Sequence, residues 1–158
     1  MKKLLVIALL IAACTPKAQP PQLTETEVLQ LVDDRNYQFN LEFVRPLGGR
    51  QRLITGNYTF RVKKDRIDSD LPYIGRSFQA PIGSSENGMK FTSKDFDYNS
   101  STGKDNRREI NIQPKDANDI RDIQLIIFSN GTADLRINSI NRQTISYTGN
   151  ITALPQPQ

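Results

Sequence analysis

Tyr37-Gln38-Phe39-Asn40-Leu41-Glu42-Phe43 alternates apolar and polar side chains without a break. Successive residues of a strand point to opposite faces, so this stretch predicts a strand with one buried and one wet face. Pro46-Leu47-Gly48-Gly49 then turns the chain. A second strand is predicted from Leu53 to Lys63, with Tyr58, Phe60 and Val62 on one side, and the two together read as a hairpin.

Before this stretch the period is different. Thr24 followed by Glu27 has the form of a capping box, and Leu23 with Val28 that of a hydrophobic staple, so a helix is expected from there to about Arg35. Val28, Leu31 and Val32 share its apolar face. After the hairpin, Leu71 to Phe78 can hold a short strand and Ala80 to Gly88 reads as loop. Met89 to Tyr98 is a strand whose phase slips, because Phe91 and Phe96 differ in parity; a bulge is expected between Ser93 and Asp95. Ile110 and Ile112 mark the next strand. Asp122 to Phe128 is apolar on both parities and needs an outer cover at Ile126 and Phe128, for which the helix is the obvious candidate and a partner protein the other. Asn130-Gly131 is the strongest hairpin signal, leading to Ala133, Leu135 and Ile137, and Ile145, Tyr147 and Ile151 carry the last strand.

The expected fold is therefore all-β with one N-terminal helix. About eight antiparallel strands suit a lipocalin-like up-and-down barrel, which removes exposed sheet edges; a two-sheet β-sandwich is the alternative. The domain is expected over residues 23–153, with a flexible tail at 154–158.

The first residues carry a separate message. Lys2 and Lys3 precede an uninterrupted apolar run from Leu4 to Ala13, too short to cross a bilayer as a helix. Ile11-Ala12-Ala13-Cys14 resembles the lipobox of lipoprotein precursors, so residues 1–13 are expected to be a signal peptide and Cys14 the lipidated first residue of the mature chain. Residues 14–22, rich in proline and polar side chains, then form a flexible tether. Thr15 is not the aspartate that retains lipoproteins in the inner membrane, and no acidic export tag follows Cys14. The expected location is the outer membrane, lipid-anchored on the periplasmic face, with the cell surface as the alternative.

Composition narrows the chemistry. The chain has 158 residues, a net charge of +4, one cysteine and no histidine. An internal disulfide, the usual zinc sites and the common catalytic triads are thereby excluded. No cofactor or metal is expected, and no enzyme. The basic doublets Lys63-Lys64 and Arg107-Arg108 read as solvated turns, so nucleic acid is not an expected partner. Asp65, Asp68 and Asp70 could gather calcium ligands but lack the glycine and distal glutamate of an EF-hand loop, and are read as a solvated turn.

Candidate ligand or partner contacts are Tyr73 and Arg76 in Leu-Pro-Tyr-Ile-Gly-Arg, and Arg142 with Tyr147 in Asn-Arg-Gln-Thr-Ile-Ser-Tyr. Each pair sets a planar cationic donor near an aromatic ring beside a turn, which suits a carboxylate or a sugar. The plainer reading is that the arginines cap loop carbonyls and the tyrosines close the barrel ends with their hydroxyls in water, and it is favoured. Tyr37, Phe39, Phe43, Tyr58, Phe60 and Phe91 either line an apolar cavity or fill the interior.

YQFNLEFVRPLGGRQRLITGNYTFRV, LPYIGRSFQAPIG and NGTADLRINSINRQTISYTGNI together resemble the DUF4251 family, over about Glu27 to Ile151. The resemblance implies a lipoprotein-like protein of the Bacteroidetes with a barrel similar to lipocalins and no assigned activity or ligand residues. Two functions are carried forward: a barrel binding a small apolar ligand, and a structural or protein-interaction module of the envelope.

Overall fold

The structure, a computed structural model, describes residues 23–78 and 88–155. The signal, lipidation and tether positions lie outside these residues, as does most of the loop expected from Ala80 to Gly88.

Helix α1 spans Glu25–Asp33. Its capping box forms as expected: the Thr24 hydroxyl accepts the Glu27 N–H and the Glu27 carboxylate accepts the Thr24 N–H at 2.8 Å. These bonds hold the Glu27 carboxyl below its usual range. The strands are β1 (Tyr37–Pro46), β2 (Arg52–Leu53), β3 (Thr59–Val62), β4 (Ile67–Pro72), β5 (Gly88–Ser93), β6 (Phe96–Thr102), β7 (Arg108–Pro114), β8 (Ile120–Ile127), β9 (Thr132–Ser139) and β10 (Ile145–Ala153). All pair antiparallel in the order β5-β4-β3-β1-β10-β9-β8-β7-β6, with β2 beside β1, and the sheet curls into a nearly closed barrel.

The core lies inside. Tyr37, Phe39, Phe60, Ile67, Leu71, Ile112, Ile123, Leu125, Leu135 and Ile137 are each 0% exposed. A void wide enough for water would leave exposed area on its lining. These side chains therefore pack against one another and fill the space they face.

The two ends of the strand order, β5 and β6, follow one another in the chain with only Lys94 and Asp95 between them. They are one passage of chain that bends and changes partner: its first half pairs with β4, its second with β7. Met89 and Ser93 are buried before the bend, and Phe96 and Tyr98 are partly buried after it. The phase slip in the sequence is this corner rather than a bulge within one ladder. Asp116 holds it: the carboxylate accepts the Ser93 hydroxyl at 2.5 Å and the backbone N–H groups of Lys94 at 2.8 Å and Asp95 at 3.2 Å. The N–H of Lys115 completes the clamp by donating to the Asp95 carbonyl at 2.8 Å.

Several expectations are corrected. The predicted strand from Leu53 to Lys63 is interrupted, and β2 and β3 occupy successive lengths of the same flank of β1. A register shift between Leu41 and Phe43 turns Val44 inward, leaving Phe43 half-buried where alternation placed it inside. The strand expected over Leu71 to Phe78 lies earlier, as β4, so Asp68 and Asp70 are strand residues rather than part of a turn. The helix does not cover the outside of β8. Val28 and Val32 are buried, Asp33 pairs with Arg108 at 3.1 Å and Glu25 accepts from Asn106 at 3.2 Å. It therefore lies across the barrel end where β1, β7 and β9 begin, while Ile126 and Phe128 face outward without it.

Two substitutions test this architecture. Gly149 faces Leu41 across the β1–β10 ladder at the register shift, and any Cβ there would run into the Asn40 carbonyl and the Phe39 ring. Gly149→Ala should lower unfolding stability by about 1–3 kcal/mol, seen as an earlier urea midpoint; an unchanged midpoint would mean the strands can part freely. The Asp116 carboxyl is held below its ordinary value of 3.8, first by the Lys94 N–H and then by the Ser93 hydroxyl. A depressed folded-state pKa contributes stability that is complete above the ordinary value and disappears as pH falls through the lower one. The stability gap between the native chain and Asp116→Asn should therefore be widest above pH 5 and narrow on acidification, in denaturant titrations across pH.

Candidate functional site

The residues singled out beside the turns meet at the barrel end opposite the helix. After β4 the chain runs through residues 73–78 as a strap that crosses to the β9–β10 hairpin, where Ser77 bridges to Arg142 and the Phe78 N–H donates to the Asn141 carbonyl at 2.8 Å. Pro72 ends β4 and leads into this strap, and the short β9–β10 connection brings Arg142 and Gln143 up to meet it.

Arg142 is the hub. Its Nη1 donates to the Gly88 carbonyl at 2.8 Å, its Nε lies 3.2 Å from an Asp119 carboxylate oxygen, and its guanidinium carbon sits 5.4 Å from the centre of the Tyr73 ring. Gly88 opens β5, whose outer edge has no strand beside it among the described residues. Arg142 and Asp119 close that gap, leaving a cleft of about 180 Å³ between the start of β5 and the turn before β8.

The tyrosines are likewise bound by the chain. The Tyr73 hydroxyl donates to the Arg76 carbonyl at 2.7 Å, with the Gln143 carbonyl at 3.3 Å. The Tyr147 hydroxyl donates to the Pro72 carbonyl at 2.8 Å. Burial pushes both phenols up, Tyr147 far more than Tyr73, so both stay protonated donors at neutral pH. Arg76 is exposed and joins the network through its backbone, accepting the Gln143 N–H at 3.1 Å.

All four candidates are thus brought to one end of the barrel, and what Tyr73, Arg142 and Tyr147 bind is the protein itself. Arg142 caps a carbonyl, as the plainer reading has it. The hydroxyls end on backbone carbonyls rather than in water. Asp119 and Gln143 belong to this network and were missed from sequence, because an isolated Asp or Gln in a polar turn carries no signal of its partner.

Elsewhere the chemistry is sparse. Asp68 accepts from Arg66 and Thr92 at 2.7 Å each, and Asp70 pairs with Lys90 at 3.4 Å. Among the described residues no group of three or more carboxylate, cysteine or histidine side chains is placed to hold a metal. A surface hollow of about 480 Å³ lies on the outer face of β6, β7 and β8 and is lined by Asn99, Ser101, Glu109, Asn111, Gln124 and Ile126.

Fold and site together define a small antiparallel barrel closed by a kinked strand and tied at one end by an arginine–tyrosine network. Residues 21–151 match the model of a domain of unknown function, DUF4251, and the chain belongs to that family. Its fold is similar to the crystal structure of a DUF4251 family protein from Bacteroides eggerthii, with a TM-score of 0.60, 16% identity, and coverage of 82% of this chain and 87% of that one. No curated protein matches the sequence.

If Arg142 ties the open side of β5, Arg142→Ala should destabilise the barrel by about 1–3 kcal/mol through the orphaned Gly88 carbonyl and Asp119. Hydrogen exchange should then speed up in residues 73–78 and 88–91 while β8 and β9 stay protected. Uniform loss of protection would place its role elsewhere.

Proposed function

We propose that this protein is a lipid-anchored module of the bacterial envelope that acts through protein contacts on its surface. The observation that carries this reading is the filled interior: the inward Tyr37, Phe39 and Phe60 have no exposed area, so the described residues leave no ligand chamber around them. A carrier of the lipocalin kind needs such a chamber.

Attachment rests on the sequence. The Ile-Ala-Ala-Cys motif ending at Cys14 supports lipidation, and Thr15 with the polar tether supports the outer membrane and its periplasmic face. The described chain enters at Leu23, at the helix end of the barrel. At the opposite end Leu47, Leu53, Phe78 and Ile140 are 62%, 66%, 68% and 53% exposed. Large apolar side chains at one end of a domain favour contact with another protein, and this end lies opposite the one at which the described chain begins.

Cys14→Ser should move the protein from the membrane to the soluble fraction with its far-ultraviolet dichroism unchanged; continued membrane retention would contradict the anchor. A photo-crosslinking residue at position 78 should trap an envelope protein in cells, whereas one at the exposed Arg61 on β3 should not. Native mass spectrometry should return the chain without bound small molecules, and a stoichiometric apolar adduct would overturn the surface-contact reading.

A further inference from the structure

We propose that the outer face of the barrel, where β1, β10 and β9 lie side by side, carries an oxyanion site that binds a phosphate monoester through Arg45 and Arg136. The site rests neither on the anchor nor on the protein contacts of the apolar end.

Register brings the two arginines together. Arg45 stands opposite Ser146 in the β1–β10 ladder, and Ser146 stands opposite Arg136 in the β10–β9 ladder. Their neighbours Val44, Ile145, Tyr147, Leu135 and Ile137 are buried inside, so alternation turns Arg45, Ser146 and Arg136 outward on one rung. Adjacent strands lie about 4.8 Å apart, which sets the two arginine backbones about 10 Å from each other with the serine hydroxyl between them. All three line one hollow of about 210 Å³, walled by Leu47 and Gly48 of the β1–β2 turn and by Thr144. The Gly49 N–H holds that turn by donating to the Pro46 carbonyl at 3.0 Å, with Gly48 at a φ of 71° that suits glycine.

The chain leaves the polar groups of this hollow unused. Arg66, Arg107, Arg108 and Arg142 each pair with a carboxylate, whereas Arg45 and Arg136 have no ion pair or side-chain hydrogen bond among the described residues. The Ser146 hydroxyl has no partner among them either. Acidic residues on the same strands are engaged elsewhere: Glu42 accepts the Asn150 amide at 2.7 Å and Asp134 the Thr148 hydroxyl at 2.8 Å. Thr144 donates its hydroxyl to Asn138 at 2.8 Å and so shapes the wall without adding a donor. Two like charges that face one hollow repel each other, and an anion between them removes that repulsion.

The donor set selects the ligand. A guanidinium offers parallel N–H groups as a fork, and a carboxylate, with two oxygens, is satisfied by one fork. Two forks and a hydroxyl, brought from three strands, suit a group with three terminal oxygens and a charge of about −2, which is a phosphate monoester.

The test is a nuclear magnetic resonance titration of the full chain. Inorganic phosphate should shift the amide signals of Arg45, Arg136 and Ser146 saturably, with a Kd of about 0.1–1 mM, and acetate should not displace it. Arg45→Gln and Arg136→Gln should each weaken phosphate binding roughly tenfold or more with an unchanged melting curve, since both side chains are exposed. Arg45→Lys keeps the charge but loses the fork, and should weaken it as well. Arg50→Gln, beside the hollow but not lining it, should leave binding intact. Equal losses in Arg50→Gln and Arg45→Gln, or full binding by Arg45→Lys, would mean diffuse attraction by charge and would overturn the site. Shifts that fail to saturate by about 10 mM phosphate, or acetate that competes equally, overturn it too. Among esters, short-chain phosphatidic acid competing better than glycerophosphate assigns the phosphate to a lipid headgroup, and equal competition assigns it to a soluble ester; both uphold the site.

Discussion

The bond between the Asp116 carboxylate and the bend at Ser93 to Asp95 is the constraint on which the barrel depends. A strand can change partners only where its backbone leaves one ladder and enters another, and at that point its N–H groups lose their sheet acceptors. Asp116 supplies those acceptors from the turn after β7, so the corner is tied to the neighbour it is about to join. Without this the two ends of the sheet, which share no ladder of their own, would be joined at the corner only by the peptide chain through Lys94 and Asp95.

Closure by a corner leaves two half-open edges, and much of the remaining structure follows from them. The edge at β5 is finished by Arg142, Asp119 and the strap through Tyr73, which explains why an arginine and two tyrosines that look suited to a ligand turn out to hold the chain to itself. The helix finishes the opposite end, where Val28 and Val32 cover the inner residues and Arg108 reaches Asp33. With both ends covered, the inner side chains of the described residues are fully buried.

Membership of DUF4251 accounts for the fold and assigns no activity. A structure sharing 16% of its residues with this one adopts the same architecture, because inward alternation tolerates exchange among apolar side chains of similar volume. Surface contacts are not constrained in that way.

The sequence by itself determined the local structure: the capped helix from Thr24, the alternation of Tyr37, Phe39 and Leu41, and the hairpin at Asn130-Gly131. Each is set by residues a few positions apart, through side-chain period, cap chemistry or a turn's positive φ, so short windows reveal them. It also marked where something had to change, since the parity break between Phe91 and Phe96 is visible in the order of residues. Only the tertiary structure decided what that break does. Whether a shifted phase is a bulge or a change of partner depends on which strand stands beside each half, and Asp116 lies more than twenty residues beyond Ser93. The partners of Arg142 are likewise silent in sequence, because Gly88, Asp119 and Tyr73 come from three separate stretches of chain. An arginine offered to a ligand and an arginine bound to a carbonyl differ in nothing but what the fold brings to them.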